Sequence, residues 1–253
     1  MKETSLQNNK EESSQDEKIN RAEMLELFKQ NPIPDDMLLR NLGLFINRQA
    51  LSRILFMHEL YQKQLTVHGV IMEFGVFWGQ DLAFFESFRG IYEPYNHNRK
   101  IIGFDTFSGF PSVHEKDGTH EVIAPGQFSV TKDYEMYLEK ILMYHEKESP
   151  ISHMKKFELI KGDASEKLEK YLKDHPETII SLAYFDFDLY KPTKACLKLI
   201  KNHITKGTVI GFDELNTPDY EGETLAFEEE LGLKNHRIVH SMYSTVNSYI
   251  VIE

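Results

Sequence analysis

One stretch constrains the fold of this chain more than any other: VIMEFGVFWGQD, which runs from Val70 to Asp81. It begins with a short apolar run, turns between Gly75 and Gly79, and continues with apolar residues at helical spacing. Glycines at such a turn let the backbone bend sharply and approach a ligand closely, and the helix beyond it offers free N–H groups. The pattern predicts a buried strand, a ligand-binding turn and a helix, as at the start of an open α/β sheet.

The next predicted strand supports a binding role for this turn. A glycine turn after a strand can also serve packing alone. However, the sequence KIIGFD over 100–105 places Asp105 26 residues (105 − 79) after Gly79. An acid near this position binds a ribose hydroxyl in related folds, although it could also be a cap or turn residue. The turn and the acid together favour a cofactor site.

Strand and helix patterns alternate along the rest of the chain. Strands are predicted over 70–74, 100–104, 157–164 with its Gly-Asp turn, 179–185, 208–212, 237–240 and 248–252. The last two strands are separated by a connection too short for a crossover helix, so they should be antiparallel. We therefore predict a doubly wound, mostly parallel seven-stranded sheet with an antiparallel C-terminal hairpin.

Composition divides the chain into further parts. Residues 1–21 have almost no apolar content and are predicted to form a disordered tail. Two helices are predicted within 22–66, and Arg48 on the second could clamp a cofactor carboxylate. The main domain is predicted over 67–253. Within it, about 107–155 is too long for a simple crossover, so we expect a lid or substrate-facing insertion.

Charge and cysteine content restrict the class of partner and the compartment. The net charge of −11 argues against nucleic acid or an anionic membrane as the main partner. The single cysteine, Cys196, precludes an intrachain disulfide and suits a reducing cytosol. We find neither an apolar run of membrane-spanning length nor a signal-peptide pattern, so we expect a cytoplasmic protein. We expect it to bind a small molecule and to form a homo-oligomer.

Acidic residues follow the fourth and fifth predicted strands. The fourth continues into DFDLYKP from Asp186, and the fifth into DELN from Asp213. If these strands are neighbours, Asp186, Asp213 and Glu214 crowd into one cleft and suit a hard cation, Mg²⁺ or Mn²⁺. Each acid could alternatively cap a helix. The D-x-D at 186–188 also fits a metal-dependent glycosyltransferase, and a non-catalytic nucleotide-binding module is a third possibility.

Several motifs in this order resemble the macrocin-type sugar O-methyltransferases. The motifs are EFGVFWG (73–79), GFDTFSGFP (103–111), Gly162-Asp163, DFDLYKPT (186–193) and Asp213-Glu214. The resemblance covers roughly residues 48–253. It departs from the family at the glycine turn, commonly G-V-x-R-G-G, and at Glu214, where the family more often has a second aspartate.

The resemblance implies a Rossmann-like class I methyltransferase that uses S-adenosylmethionine and Mg²⁺. Its acceptor would be a sugar hydroxyl, with a nucleotide-activated hexose, deoxyhexose or heptose as the expected substrate. Its cofactor site would comprise Glu73, Gly75, Gly79, Asp105 and Asp163, and its metal site Asp186, Asp213 and Glu214. The base would be Asp186 or a histidine in or near the insertion: His97, His114, His120 or His145.

Overall fold

The computed structural model describes residues 14–119 and 123–253. The described residues divide into two compact units, one that ends at residue 53 and one that begins at residue 54. The division lies within a helix, Arg48–Gln64, and the domain boundary predicted at residue 66 stays a prediction. None of the described helices is both long and apolar enough to cross a membrane.

The N-terminal unit begins with α1 (Gln15–Lys29), which starts earlier than the helix predicted from Ala22. Ser14 caps the helix: its hydroxyl accepts the backbone N–H of Glu17, whose carboxylate accepts the backbone N–H of Ser14. This capping box supplies hydrogen-bond acceptors for backbone N–H groups that have no partner within the helix, so a polar segment can begin a helix. Helix α2 (Asp35–Leu38) and a 3₁₀ helix (Leu39–Leu44) follow. Residues 1–13 of the predicted tail lie outside the described part.

The larger unit contains the C-terminal part of α3 (Arg48–Gln64) and the remaining helices. These are α4 (Gln80–Tyr92), α5 (Tyr134–Glu148), α6 (Ala164–Asp174), α7 (Tyr190–Ile200) and α8 (Gly222–Glu230). The strands are β1 (Val70–Phe74), β2 (Ile101–Asp105), β3 (Phe157–Lys161), β4 (Ile180–Phe185), β5 (Ile204–Phe212), β6 (Val239–His240) and β7 (Ser248–Val251). Strand β5 begins before its predicted start at Thr208. The prediction missed this beginning because Thr205 and Lys206 are exposed and lack the apolar pattern that marks the rest of the strand.

The seven strands form one sheet in the order β3-β2-β1-β4-β5-β7-β6. Strands β1 to β5 pair in parallel, and β7 is antiparallel to both β5 and β6. The predicted class I arrangement with a reversed strand near the C-terminus is confirmed. Strands β4 and β5 are neighbours, which brings their carboxyl ends to the same edge.

Helices cover both faces of the sheet. One apolar layer joins α6, α7 and α8 to the strands, with Leu168, Leu197 and Phe227 among its buried members. The other joins α3, α4 and α5, with Leu60, Phe85 and Leu142 among its members. All six residues of β4 are buried, as expected of a central parallel strand with helices on both faces.

A buried charge cluster connects α4, α5 and the residues before β3. Arg89 donates to the Glu146 carboxylate at 3.0 Å, and Lys156 forms an ion pair with the same carboxylate. Glu86 is fully buried, and neither of its carboxylate oxygens has a hydrogen-bond partner among the described residues. Burial raises the pKa of Glu86 to about 8, although the charge of Arg89 opposes this shift.

Glu86→Gln should therefore stabilise the protein at alkaline pH. The folded state retains the Glu86 proton up to about pH 8, whereas the unfolded chain releases it near pH 4.5. As the pH rises between these values, the free energy of unfolding of the wild type should fall by on the order of 3 kcal/mol. The free energy of unfolding of the variant should not show this fall. Urea unfolding at pH 5 and pH 8 measures the difference. Glu169→Gln, at an exposed position on α6, is the control; parallel pH profiles for wild type and Glu86→Gln would contradict the prediction.

Candidate active site

The glycine turn after β1 packs directly against the loop after β4. Gly75 has a φ of 95°, and a Cβ placed on it would lie 1.9 Å from the backbone oxygen of Asp186. Gly79, with a φ of 76°, caps α4, and a Cβ there would lie 2.4 Å from the Leu138 side chain on α5. At Gly75 both the positive φ and the approach to the Asp186 backbone favour glycine, whereas at Gly79 the positive φ is the main reason, because the Leu138 side chain can move.

Asp105, at the end of β2, holds this turn in place. One carboxylate oxygen accepts the backbone N–H groups of Val76 and Phe77 at 2.7 and 2.9 Å, and the other accepts that of Phe107 at 2.5 Å. Burial raises the pKa of Asp105, and the three hydrogen bonds partly offset this by stabilising the carboxylate. The residue both shapes the turn and lines the adjacent cleft.

A cleft of about 400 Å³ lies along the carboxyl edge of the sheet. Four of the predicted cofactor and metal residues line it: Gly75, Asp105, Asp163 and Asp186. Asp163 also caps α6, since its carboxylate accepts the backbone N–H groups of Ser165 and Glu166 at 2.9 and 3.3 Å. A single cavity is therefore formed by the glycine turn after β1, the start of α6 and the acidic loop after β4.

Three aspartates come together at the ends of β4 and β5. Asp186, Asp188 and Asp213 each offer a carboxylate oxygen, and these oxygens lie within 4.8 Å of one another. The predicted methyltransferase metal site comprises Asp186, Asp213 and Glu214, whereas Asp188 enters the sequence analysis only through the D-x-D of the alternative glycosyltransferase. The spacing of Asp186 and Asp188 in the D-x-D motif was the signal that could have identified it. Asp188 has a φ of 57°, so the chain turns there beyond the end of β4.

The cluster is electrostatically unfavourable without a cation. Burial raises the pKa of Asp188 well above its ordinary value, and the carboxylates of Glu214 and Asp186 raise it further. Glu214 therefore lies close enough to act on Asp188, although it is outside the group of three. Its role as a metal ligand stays a prediction.

Asp213 is oriented by two neighbouring side chains. The Tyr184 hydroxyl and the Asn247 amide each donate to the same Asp213 carboxylate oxygen at 2.6 Å. The Asn247 amide also donates to the Asp213 backbone oxygen at 3.1 Å. Because such bonds set the direction of a carboxylate, they prearrange Asp213 toward the other two aspartates.

The insertion after β2 forms part of the cleft wall. Buried Asp117 accepts the backbone N–H of Tyr190 at 2.6 Å and that of His114 at 2.5 Å, which fastens the insertion to the start of α7. Phe110 and Phe128 line the cleft with their ring centroids 5.1 Å apart. The predicted substrate-facing insertion therefore contributes both apolar and polar groups to the site.

The other predicted residues occupy different positions. Glu73 is buried near the end of β1, where it pairs in register with Tyr184 of β4. Arg48 is the first residue of α3 and belongs to the N-terminal unit, so its role stays a prediction. Among the candidate histidines, His114 lines the cleft, whereas His145 on α5 lies 3.5 Å from the Ser87 hydroxyl.

The remaining histidine candidates give no further support. His97 lies in the loop between α4 and β2, and His120 lies outside the described residues. His114 is therefore the histidine that the described structure brings to the cleft. Its Nδ1 accepts the backbone N–H of Lys116 at 3.2 Å, and its ring stacks on Tyr190 with centroids 5.3 Å apart.

Comparison with known proteins gives no matching protein-family model and no matching curated protein. Solved structures do match. The crystal structure of CalS11, described as the calicheamicin methyltransferase, is 40% identical over 94% of this chain and 93% of its own, with a TM-score of 0.92. An apo structure of CalS11, described as a TDP-rhamnose 3′-O-methyltransferase, is 37% identical over 94% and 95%, with a TM-score of 0.84. The O-methyltransferase NovP, at 14% identity over 80% of each chain and a TM-score of 0.57, shares the fold.

Proposed function

The chain belongs to the sugar O-methyltransferase family, and from that premise we propose that it methylates a hydroxyl of a nucleotide-activated sugar. The methyl donor is S-adenosylmethionine, and a divalent cation, Mg²⁺ or Mn²⁺, assists the transfer. The observation that carries this proposal is the single cleft that joins the glycine turn to an acidic cluster.

The cofactor end of the cleft suits a nucleoside with a charged methionine moiety. At Gly75 the backbone has no room for a side chain because the Asp186 backbone lies against it, which brings the glycine turn directly beside the acidic loop. In the proposal, Glu73, Gly75 and Gly79 lie along the methionine moiety. Asp105 accepts from the ribose and Asp163 from the adenine edge.

The acidic end suits a hard cation. Three carboxylate oxygens within 4.8 Å of one another form an all-oxygen donor set, which Mg²⁺ and Mn²⁺ prefer. In the proposal, Asp186 and Asp213 hold the ion, with Asp188 and Glu214 as the further carboxylates of the set. A cation bound there supplies Lewis acidity that lowers the pKa of the acceptor hydroxyl.

The chain's own residues then account for the transfer. Asp186 accepts the proton of the sugar hydroxyl, with His114 as the alternative base, and the oxygen attacks the sulfonium methyl carbon. The C–O bond forms as the C–S bond breaks, and the electron pair of that bond neutralises the sulfonium to a thioether. Rigid walls such as the Asp117-anchored insertion keep donor and acceptor in near-attack geometry.

CalS11 is described as acting on TDP-rhamnose, and this description supports a nucleoside-diphosphate sugar as the acceptor class here. Methyl transfer is also favoured over glycosyl transfer, because CalS11, which is 40% identical over 94% of this chain, is described as a methyltransferase. The test is to incubate the protein with S-adenosylmethionine, Mg²⁺ and a panel of nucleotide-sugars that includes TDP-rhamnose, with the free sugars as a matched set. Mass spectrometry should show one added methyl group on a nucleotide-sugar; methylation of free sugars alone would refute the nucleotide-activated acceptor.

Chelation should abolish the activity. With excess EDTA, the close carboxylates lose the cation that offsets their repulsion and activates the hydroxyl, so we expect turnover to fall at least about 100-fold. Adding Mg²⁺ or Mn²⁺ beyond the chelator should restore it, as measured by formation of S-adenosylhomocysteine. Full turnover in EDTA would remove the metal from the mechanism while leaving methyl transfer intact.

A further inference from the structure

Glu223, in the first turn of α8, is a buried acid for which the mechanism above has no use. Its side chain has no exposed surface. One carboxylate oxygen accepts the backbone N–H of Phe187, between Asp186 and Asp188, at 3.3 Å. The other accepts the backbone N–H of Glu214, next to Asp213, also at 3.3 Å. One side chain thus bridges the two loops that carry the acidic cluster.

The backbone of α8 is held against the same loop. A Cβ placed on Gly222 would lie 2.9 Å from the backbone oxygen of Asp188 and 2.7 Å from the backbone nitrogen of Tyr190. The start of α8 therefore packs directly against the backbone that follows β4. The backbone at the start of α8 thus lies against the residues after β4, and the Glu223 side chain reaches the loop after β5.

A carboxylate is a costly choice for a bridge at this position. Burial removes the water that would solvate the Glu223 carboxylate, and the nearby carboxylates of Asp213, Asp186 and Glu214 repel its charge. Features that oppose stability in this way are expected where a site has a function. A cation among the aspartates would offset the repulsion.

We propose that Glu223 is a positioning residue that sets the separation between the Asp186–Asp188 loop and the Asp213 loop for a divalent cation. The inference rests on the proposed metal-dependent function. Since both carboxylate oxygens accept backbone N–H groups, Glu223 supports the ligands rather than joining them. Residues that orient metal ligands in this way commonly change metal affinity by about 10- to 100-fold when replaced.

Glu223→Gln tests the proposal, because its amide keeps the shape but places an NH₂ group against one of the two backbone N–H donors. We expect Mn²⁺ alone, titrated by calorimetry, to bind the variant about 10- to 100-fold more weakly than the wild type. In turnover assays, the Mg²⁺ concentration for half-maximal rate should rise by a similar factor, and the rate at saturating Mg²⁺ should change less. Glu228→Gln, at an exposed position of the same helix, should match the wild type.

The outcomes separate this inference from the proposed function. If the wild type binds Mn²⁺ and Glu223→Gln binds it equally well, the positioning role is wrong even if the variant is less stable. If the wild type binds no Mn²⁺, the metal-dependent function fails first. Should Glu223→Gln not fold, Glu223→Asp keeps the charge but is too short to reach both loops. Weakened Mn²⁺ binding by folded Glu223→Asp would support the role, and unchanged binding would overturn it.

Discussion

Asp186→Asn is expected to lower the rate of methyl transfer by about 10²- to 10⁴-fold. In the proposal, Asp186 both holds the cation and accepts the proton, and an amide is a poor substitute in either role. The substitution preserves side-chain volume and removes one negative charge from a crowded cluster, so the fold should survive. Single-turnover formation of S-adenosylhomocysteine measures the loss, and thermal unfolding reports on the fold.

The matched control is Asp174→Asn, because Asp174 is an aspartate at the exposed end of α6 whose partner is Lys170. This variant should retain wild-type turnover, since exposed ion pairs contribute little. A folded Asp186→Asn protein with turnover near that of Asp174→Asn would exclude Asp186 from the reaction. Loss of turnover together with loss of folding would contradict the expectation that Asp186 acts in chemistry rather than in stability.

Gly75→Ala is expected to destabilise the protein and abolish cofactor binding. A Cβ at this position would lie 1.9 Å from the backbone oxygen of Asp186, so the turn or the Asp186 loop must move. The positive φ costs about 1–3 kcal/mol for a residue other than glycine, and overpacking costs a further 1–3 kcal/mol or so. Urea unfolding measures the stability loss, and calorimetric titration with S-adenosylmethionine measures binding.

Gly126→Ala separates the two contributions. Gly126 has a similar φ of 83°, but among the described residues nothing lies within 4 Å of a Cβ placed there. This variant should therefore show the conformational cost alone and keep its affinity for S-adenosylmethionine. Equal losses of stability in the two variants would show that the close approach at Gly75 has no energetic consequence.

Much of the fold could be predicted from the sequence because burial leaves a local periodic pattern. The apolar run of β4 and the glycine turn after β1 mark their own conformations, and both are confirmed. The adjacency of β4 and β5 followed from the parallel alternation of strands and helices rather than from any single residue. Where hydrogen bonds instead of burial determine an end, prediction failed, as at the capped start of α1 near Ser14.

The candidate site likewise contains some residues that could be predicted from the sequence and others that could not. Asp186 and Asp213 could be predicted as neighbours because each directly follows a parallel strand, and strand order carries both to one edge. Asp188 lies beyond β4, where the direction of the chain depends on a positive φ and on packing against the start of α8. Glu223 looks like an ordinary helical glutamate in sequence, and only the packing of α8 turns it onto backbone groups of two distant loops. Strand ends are local and could therefore be predicted, whereas contacts between segments far apart in the chain exist only in the folded protein.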